Sequence, residues 1–383
     1  MPVYNEIDYD GRVQRAAECL AENHSVTLFA VNSHSGYRNS KFSLCTVSLS
    51  WLGTRGLVRF ACYCAALIYS AVRARPHIVY AHDYFTAWPG YIAAALTGAA
   101  LVYDSHELII PEDGFKLSRR DMFFYRLEKS AVRRAALIVA ANEERAEIMR
   151  KHYQLASTPV AIHNITSPPM KSPDPETALD NFPMLRRSSS KVVRLVFQGF
   201  LSADRGVVAS VKALAQLPTE FELVLVGGGP PTDIAAIYDA VAEHGLGDRV
   251  LFLGRVPRER LHDILATCDI GIVYYHTRKL NHLYCASNKT YEYAQAGLPM
   301  VLTCQPPLRQ LSEVYGVGEL IGCEVVNKGE KVREIADMVR ACQTIAANLD
   351  SYRANLPRFL NENRWEDEAK RLLEAVNNVR LVS

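Results

Sequence analysis

The chain has 383 residues, 49% hydrophobic and 22% charged, with a formal net charge of +2. That length exceeds the usual size of one core and predicts two domains, and the near balance of charge excludes the global field of a nucleic-acid-binding protein. The nine cysteines are an odd number without C-x-x-C or zinc-ligand spacing, so neither a disulfide framework nor a zinc module is expected and the compartment is expected to be reducing and cytoplasmic.

Glu6, Asp8 and Asp10 interrupt any apolar run at the start, and no signal peptide is expected. The loop DYDGRV (8–13) puts Gly11 and Arg12 at a helix start, and Val13, Ala17 and Leu20 keep helical spacing. The apolar stretch Leu57 to Val72 contains Arg59 and falls short of the ~20 residues of a membrane span, so a buried or interfacial helix is expected. VTLFAV (26–31), HIVYA (77–81), ALVY (100–103) and ALIVA (136–140) are apolar runs of buried-strand length. Two of them end in AHD (81–83) and YDSHE (103–107), so His82, Asp83, His106 and Glu107 are expected to project from strand ends. A histidine there can orient a sugar hydroxyl, or simply cap a loop. Residues 115–134 carry Arg119, Arg126 and Arg133 on one helical stripe and Phe124, Leu127 and Ala131 on another. Such a helix can lie on an anionic leaflet beside a lipid-linked acceptor, or be a core-packed helix with a solvated outer face.

Residues 166–190, rich in Pro, Ser and Asp, are expected to be a linker and hinge. VRLVF (193–197), ELVLVG (222–227), RVLFLG (249–254), DIGIVYY (269–275) and PMVLT (299–303) then repeat the strand-helix alternation. Each half is expected to be a doubly wound domain on a parallel sheet. Ligands bind beyond the carboxyl ends of such strands, so a cleft between two facing domains is the expected site. In VFQGFLSADRGVV (196–208), Arg205 precedes a helix and can reach a diphosphate, or pair with Asp204. LVLVGGGPP (223–231) is a glycine-rich strand-to-helix turn, with Thr232 where a third fingerprint glycine would stand. In SNKTYEYAQAGLPMVLT (287–303), Asn288 to Ala296 suits a helix whose first turn holds Lys289. A helix N-terminus with a lysine suits phosphate, and Glu292 on the same face can accept from both ribose hydroxyls. An ordinary Lys289–Glu292 surface pair fits the spacing equally.

Together these segments resemble glycosyltransferase family 4, of the GT-B fold. VGGGPP with GLGDRVLFLGRVP (245–257), SNKTYEYAQAGLPMV, AHDYFTAWPGYIAA (81–94), LVYDSHEL (101–108) and RWEDEAKRLLEAV (364–376) carry the resemblance over nearly the whole chain. It implies an α/β architecture of two Rossmann-like doubly wound domains facing a central cleft. The acceptor domain would span 1–165 and the nucleotide-sugar domain 191–350, with helices 351–383 crossing back to the first. It also implies a retaining, metal-independent hexosyltransferase that needs no cofactor beyond its nucleotide-sugar donor. Catalytic roles fall to His106, Arg205 and Lys289. Donor contacts fall to Gly11, Asn288, Lys289, Glu292, Arg205, Gly228, Arg255 and Val256, and the acceptor and sugar pocket to His82, Asp83 and Glu107. The partners implied are a nucleotide sugar and a glycan or lipid-linked acceptor of surface polysaccharide assembly, with peripheral contact at the inner face of the plasma membrane through 115–134.

The chain departs from the family pattern at Tyr284, where a glutamate is usual, at Phe200, often an arginine, and in a cramped first strand, Met1 to Ile7. PVYNE (2–6), Asp8-Tyr9-Asp10 and Asn361, Arg364 and Trp365 echo the GT-A enzymes. The middle of the chain lacks their metal site, and that reading is rejected. Two other functions remain: a GT-B nucleotide-sugar epimerase, separable by incubation with donor alone, and a non-catalytic partner subunit that binds donor without turnover.

Overall fold

A computed structural model describes residues 1–7, 10–31, 41–53, 56–112, 114–169, 171–202, 205–276, 279–322 and 330–379. Asp8 and Tyr9 of the DYDGRV loop, and Asp204, the alternative partner of Arg205, lie outside the described residues. The chain divides into two compact units, Met1–Asn164 with Trp365–Ser383, and Ile165–Arg364.

In the first unit α1 (Gly11–Leu20) and β1 (Thr27–Val31) are followed by β2 (Ser43–Val47) and α2 (Gly56–Ala74). Then come β3 (Ile78–His82), α3 (Asp83–Thr97), β4 (Ala100–Asp104), α4 (Arg119–Val132), β5 (Leu137–Ala140), α5 (Glu143–Tyr153) and β6 (Val160–Ala161). All pairings are parallel, β1 with β2 and then β3-β4-β5-β6. Every residue of β4 is buried, as a strand covered on both faces requires. The opening segment runs between the two sheets. Phe29 N donates to Met1 O at 2.9 Å and His82 N donates to Pro2 O at 3.1 Å, so the cramped start links β1 to β3 by hydrogen bonds.

The second unit begins with α6 (Pro175–Asn181) and continues through β7 (Val193–Phe200), α7 (Val207–Leu214), β8 (Phe221–Gly228), α8 (Pro231–Glu243), β9 (Val250–Gly254) and α9 (Arg258–Leu265). It is completed by β10 (Ile270–Val273), α10 (Leu280–Leu283), α11 (Asn288–Gln295), β11 (Met300–Thr303), α12 (Pro306–Glu313), β12 (Gly318–Ile321), α13 (Glu330–Ala347) and α14 (Leu349–Glu362). Its parallel sheet has the order β12-β11-β10-β7-β8-β9. The strand order reverses between β7 and β10, which is where such sheets bind ligands. The last helix, α15 (Trp365–Asn377), belongs to the first unit. There Cys19 Sγ reaches Ala369 O at 3.2 Å and the Arg15 guanidinium lies 5.4 Å from the Trp365 ring centroid. The chain crosses between the units at 164/165 and 364/365, so α14 stays with the second unit rather than with the final helix.

The expected linker 166–190 is corrected. Asp174 caps α6 by accepting from Glu176 N, and Pro175 takes the first helical position, where its missing N–H costs nothing. Leu185 is fully buried and its carbonyl accepts from Arg194 Nη1 at 2.9 Å, while Arg187 pairs with Asp269 at 2.8 Å. A core position at Leu185, the buried Arg194 bond and the half-buried Arg187–Asp269 pair hold this stretch to the sheet.

Candidate functional site

In the second unit, the carboxyl ends of β7, β8 and β10 bring together residues far apart in sequence. The side-chain-free turn after β8 has a steric cause. A Cβ at Gly227, whose φ is +137°, would sit 1.8 Å from Gly199 O, and one at Gly229 would sit 1.8 Å from Leu201 O. Backbone meets backbone there, so the glycines permit close approach. Helices α7, α8 and α11 start at these strand ends without a side-chain cap hydrogen bond. Their first N–H groups and partial positive charge form an anion-binding environment.

Two cations share that environment. Lys289, in the first turn of α11, reaches back to Gly199, where an added Cβ would meet its Cε at 3.2 Å. Its Nζ lies 4.1 Å from the Phe197 ring centroid and is buried without a hydrogen-bond partner. Burial, reinforced by the nearby Arg205 charge and opposed by Glu292, lowers its pKa to about 7. The Arg205 guanidinium stacks 4.8 Å from the Tyr275 ring centroid. Glu292 is not the surface partner of Lys289: it is 9% exposed, and Gln198 Nε2 donates to its Oε2 at 2.5 Å. Asn288 Oδ1 is also buried without a partner. Arg255 folds over Gly228, whose added Cβ would stand 2.9 Å from Arg255 Nε, and Val256 packs into the core beside it. The residues expected for a donor therefore form one cluster, apart from Gly11, which lies in the first unit.

In the first unit the strand-end residues surround Asp104. Arg12 Nη2 donates to its Oδ1 at 2.7 Å and Tyr80 OH to its Oδ2 at 3.2 Å, with His82 Nδ1 and His106 Nε2 at 3.4 and 3.6 Å. Burial would raise the Asp104 pKa, but Arg12 and the two histidines hold it well below the usual range. His106 is raised because Asp104 outweighs its desolvation. His82 is lowered by burial to about 4 and stands neutral against His106 at 3.2 Å. Two expectations change here. His82 is fully buried rather than projecting, and Arg12, expected at a helix start facing the cleft, turns its guanidinium to Asp104 and the Ile162 carbonyl. Gly11 does open α1, behind an Asp10 cap. Asp83 opens α3 with φ +63°, a conformation costly for a non-glycine residue. Its carboxyl is pushed up to about 7, chiefly by burial, and its Oδ1 has no partner. Glu107 is exposed nearby.

His82, Asp104 and His106 offer ligand atoms within 4.8 Å of one another, a grouping that sequence spacing did not suggest. Arg12 donates to one Asp104 oxygen and Tyr80 to the other, so Arg12 supplies a counter-charge for the carboxylate. Arg12, Asp104, Tyr80 and Gln198 were not singled out for these contacts by sequence. Their partners lie between 24 and 94 residues away, and no local pattern marks them.

With this geometry in view, two Rossmann-like α/β units define the GT-B class of glycosyltransferase. Residues 11–164 match the Glycosyl transferase 4-like domain, and residues 192–344 match Glycosyl transferases group 1. The chain belongs to the GT4-type glycosyltransferases. It is 25% identical over 309 residues to a D-inositol 3-phosphate glycosyltransferase of Xylanimonas cellulosilytica, covering 72% of this chain and 71% of that one. Among solved structures it is similar to WaaG, a glycosyltransferase involved in lipopolysaccharide biosynthesis, with a TM-score of 0.75 at 17% identity over 98% of this chain and 99% of that one. It is also similar to Anabaena HepE in complex with UDP and glucose, with a TM-score of 0.72 at 17% identity over 98% of each chain. The chain is an enzyme of the glycosyltransferase type.

Proposed function

We propose that this enzyme moves a sugar from a nucleoside-diphosphate donor to a glycan or lipid-linked acceptor in surface polysaccharide assembly, with retention and without a metal ion. One observation carries the reading: Lys289 holds a buried ammonium group with no partner beside a second cation, Arg205. A protein leaves such a charge unpaired at a cost unless a ligand supplies the counter-charge. A diphosphate does so, together with the uncapped starts of α7 and α11. Glu292, with one oxygen held by Gln198, is assigned to the ribose, and the backbone at Arg255 and Val256 to the base. His106, Asp83 and Glu107 are assigned to sugar and acceptor hydroxyls, and the fully buried His82 to positioning His106, 3.2 Å away.

In the transfer, the bond from the anomeric carbon to the diphosphate oxygen breaks and its electron pair leaves on that oxygen. Lys289 and Arg205 stabilise the developing charge. The acceptor hydroxyl oxygen bonds to the carbon, and its proton passes to the departing phosphate. The UDP bound by HepE makes uridine the first base to test. We place the enzyme in the cytoplasm, with Arg119 and Arg126 on α4 and Arg133 at its C-terminal cap, all exposed, against an anionic leaflet.

Thermal unfolding with UDP-, GDP-, ADP- and dTDP-sugars, with and without magnesium, tests the reading. At 100 times Kd one nucleotide is expected to stabilise by about 2.7 kcal/mol. Magnesium is expected to change little, and Glu292→Ala to remove the shift. No stabilisation by any of the four, or stabilisation only with magnesium, overturns it.

A further inference from the structure

Helix α2 buries Phe60, Tyr63, Cys64, Leu67 and Ala71 against its unit. Its opposite side is exposed and almost wholly apolar: Val58, Ala61, Ala65, Tyr69 and Val72 follow helical spacing, with Leu57 70% exposed at the start. Trp51, just ahead, is 75% exposed. Five of the twelve strongly exposed large apolar side chains among the described residues fall between 51 and 72, so the exposure is concentrated rather than scattered. The helix is long and apolar enough to cross a membrane, yet its five anchored side chains fix it lengthwise on the unit.

The charges on α2 itself are of one sign, and at the start of α4 Lys116, Arg119 and Arg120 outnumber the acidic Asp121. Helix α2 has no acidic residue, and Arg73 and Arg75 stand exposed at its end. Phe60 packs edge-on against Phe124 at 5.1 Å, which sets the start of α2 beside the start of α4. Arg59 and Arg120 both act electrostatically on Tyr4, so the two helix starts share their field. Lys116 and Arg119 are exposed near that end of α4, and Phe115 and Phe123 add two exposed rings.

We propose that the exposed face of α2, with Trp51 and the start of α4, is a docking surface for an anionic lipid bilayer. The helix lies in the plane of the leaflet, its stripe of about 21 Å sunk among the acyl chains and its arginines at the headgroups. Charge decides against a second copy of this chain as occupant. A twofold contact through this stripe would set the same arginines against one another, whereas an anionic leaflet neutralises them. The proposal rests on the assignment of α4 to a leaflet and deepens it, because the apolar side chains of α2 supply the insertion that a basic helix lacks.

Co-sedimentation with phosphatidylglycerol–phosphatidylcholine vesicles, against pure phosphatidylcholine, tests it on the full chain. The wild type is expected to bind the anionic vesicles at least about tenfold more tightly, since each basic residue at the surface is worth about fivefold. The double variant Leu57→Glu with Val58→Glu is expected to lose about tenfold or more. Brominated lipid is expected to quench wild-type tryptophan emission, and Trp51→Phe to remove most of that quenching while the protein still sediments. Nucleotide-induced stabilisation, which tests the transfer reading instead, should be equal in wild type and variants. Unchanged binding in the double variant overturns the proposal, as does unquenched wild-type emission. So does a wild-type dimer in ultracentrifugation that the double variant abolishes, which would assign the stripe to a second copy.

Discussion

The two units place comparable charges at strand ends and treat them in opposite ways. Around Asp104, Arg12, Tyr80, His82 and His106 converge on one carboxylate, and α1, α4 and α5 are capped by Asp10, Ser118 and Asn142. At the ends of β7, β8 and β10 the helices start uncapped and the Lys289 ammonium has no hydrogen-bond partner. Paired charge of the first kind is scaffold, because its counter-charge is built in. Unpaired charge of the second kind is, in the proposed reading, held for a ligand. Mutations should therefore separate the clusters by sign: breaking the first costs folding, and emptying the second costs binding.

The largest effect is expected from Arg12→Ala. It strands the Asp104 carboxylate, 1% exposed, without its 2.7 Å partner, and should destabilise the protein by about 3–5 kcal/mol in urea unfolding. A loss below 1 kcal/mol would show that Asp104 is satisfied without Arg12 and would erase the contrast. Lys289→Ala comes next. It should lower kcat/KM by about 10²- to 10³-fold, as for removal of a group aimed at developing negative charge. The unliganded variant should unfold at or above the wild-type temperature, since a desolvated ammonium has gone. A destabilised variant with normal kinetics would move Lys289 into the scaffold class.

The contrast sharpens further with pH. Lys289, lowered to about 7 by burial and Arg205, is half neutral at that pH without ligand, whereas a bound diphosphate keeps it charged. Binding of a nucleotide sugar then takes up a proton above pH 7. Affinity should be level below that pH and fall toward about tenfold per unit above it. Calorimetry in buffers of different ionisation enthalpy reads the proton directly. Lys289→Arg, which stays charged, should flatten the profile. A wild-type profile flat from pH 6 to 9 would refute the assignment.

How legible each cluster was follows from the same physics. Lys289, Glu292 and Arg205 sit where local pattern is informative, at helix starts after apolar runs, and their positions could be named from spacing. The partner of Glu292 could not, because Gln198 lies 94 residues away across the sheet. Arg12 could be placed at a helix start, but its partner could not be named, because 92 residues separate it from Asp104. Among strands, the long apolar runs were readable, while β2 lies partly exposed, β6 has two residues and β12 is the short run GELI. Helix α6 was masked by its own proline, which favours a helix start as readily as a loop.

The smallest effect is expected within the first unit, where α15 meets the end of β6. His163 Nε2 contacts Glu143 at 2.8 Å and Nδ1 contacts Glu368 at 3.1 Å. Burial opposes the imidazolium, but the bonds to Glu143 and Glu368 outweigh it and raise the pKa to about 9. The folded value exceeds the unfolded 6.5, so this stabilisation is complete below pH 6.5 and is lost as pH rises through 9. Glu143 is 63% exposed, and screening should limit the contribution to about 1 kcal/mol. The stability difference between wild type and His163→Gln should therefore shrink between pH 6.5 and 9. Lys289 runs the other way. Its folded pKa of about 7 lies below the unfolded 10.5, so the cost of burying it fades as pH rises across that interval. The unliganded stability deficit of wild type relative to Lys289→Ala should shrink as pH rises above 7, while the wild-type advantage over His163→Gln declines up to pH 9. If both differences, wild type minus variant, moved in the same direction, paired and unpaired charge could not be what separates His163 from Lys289.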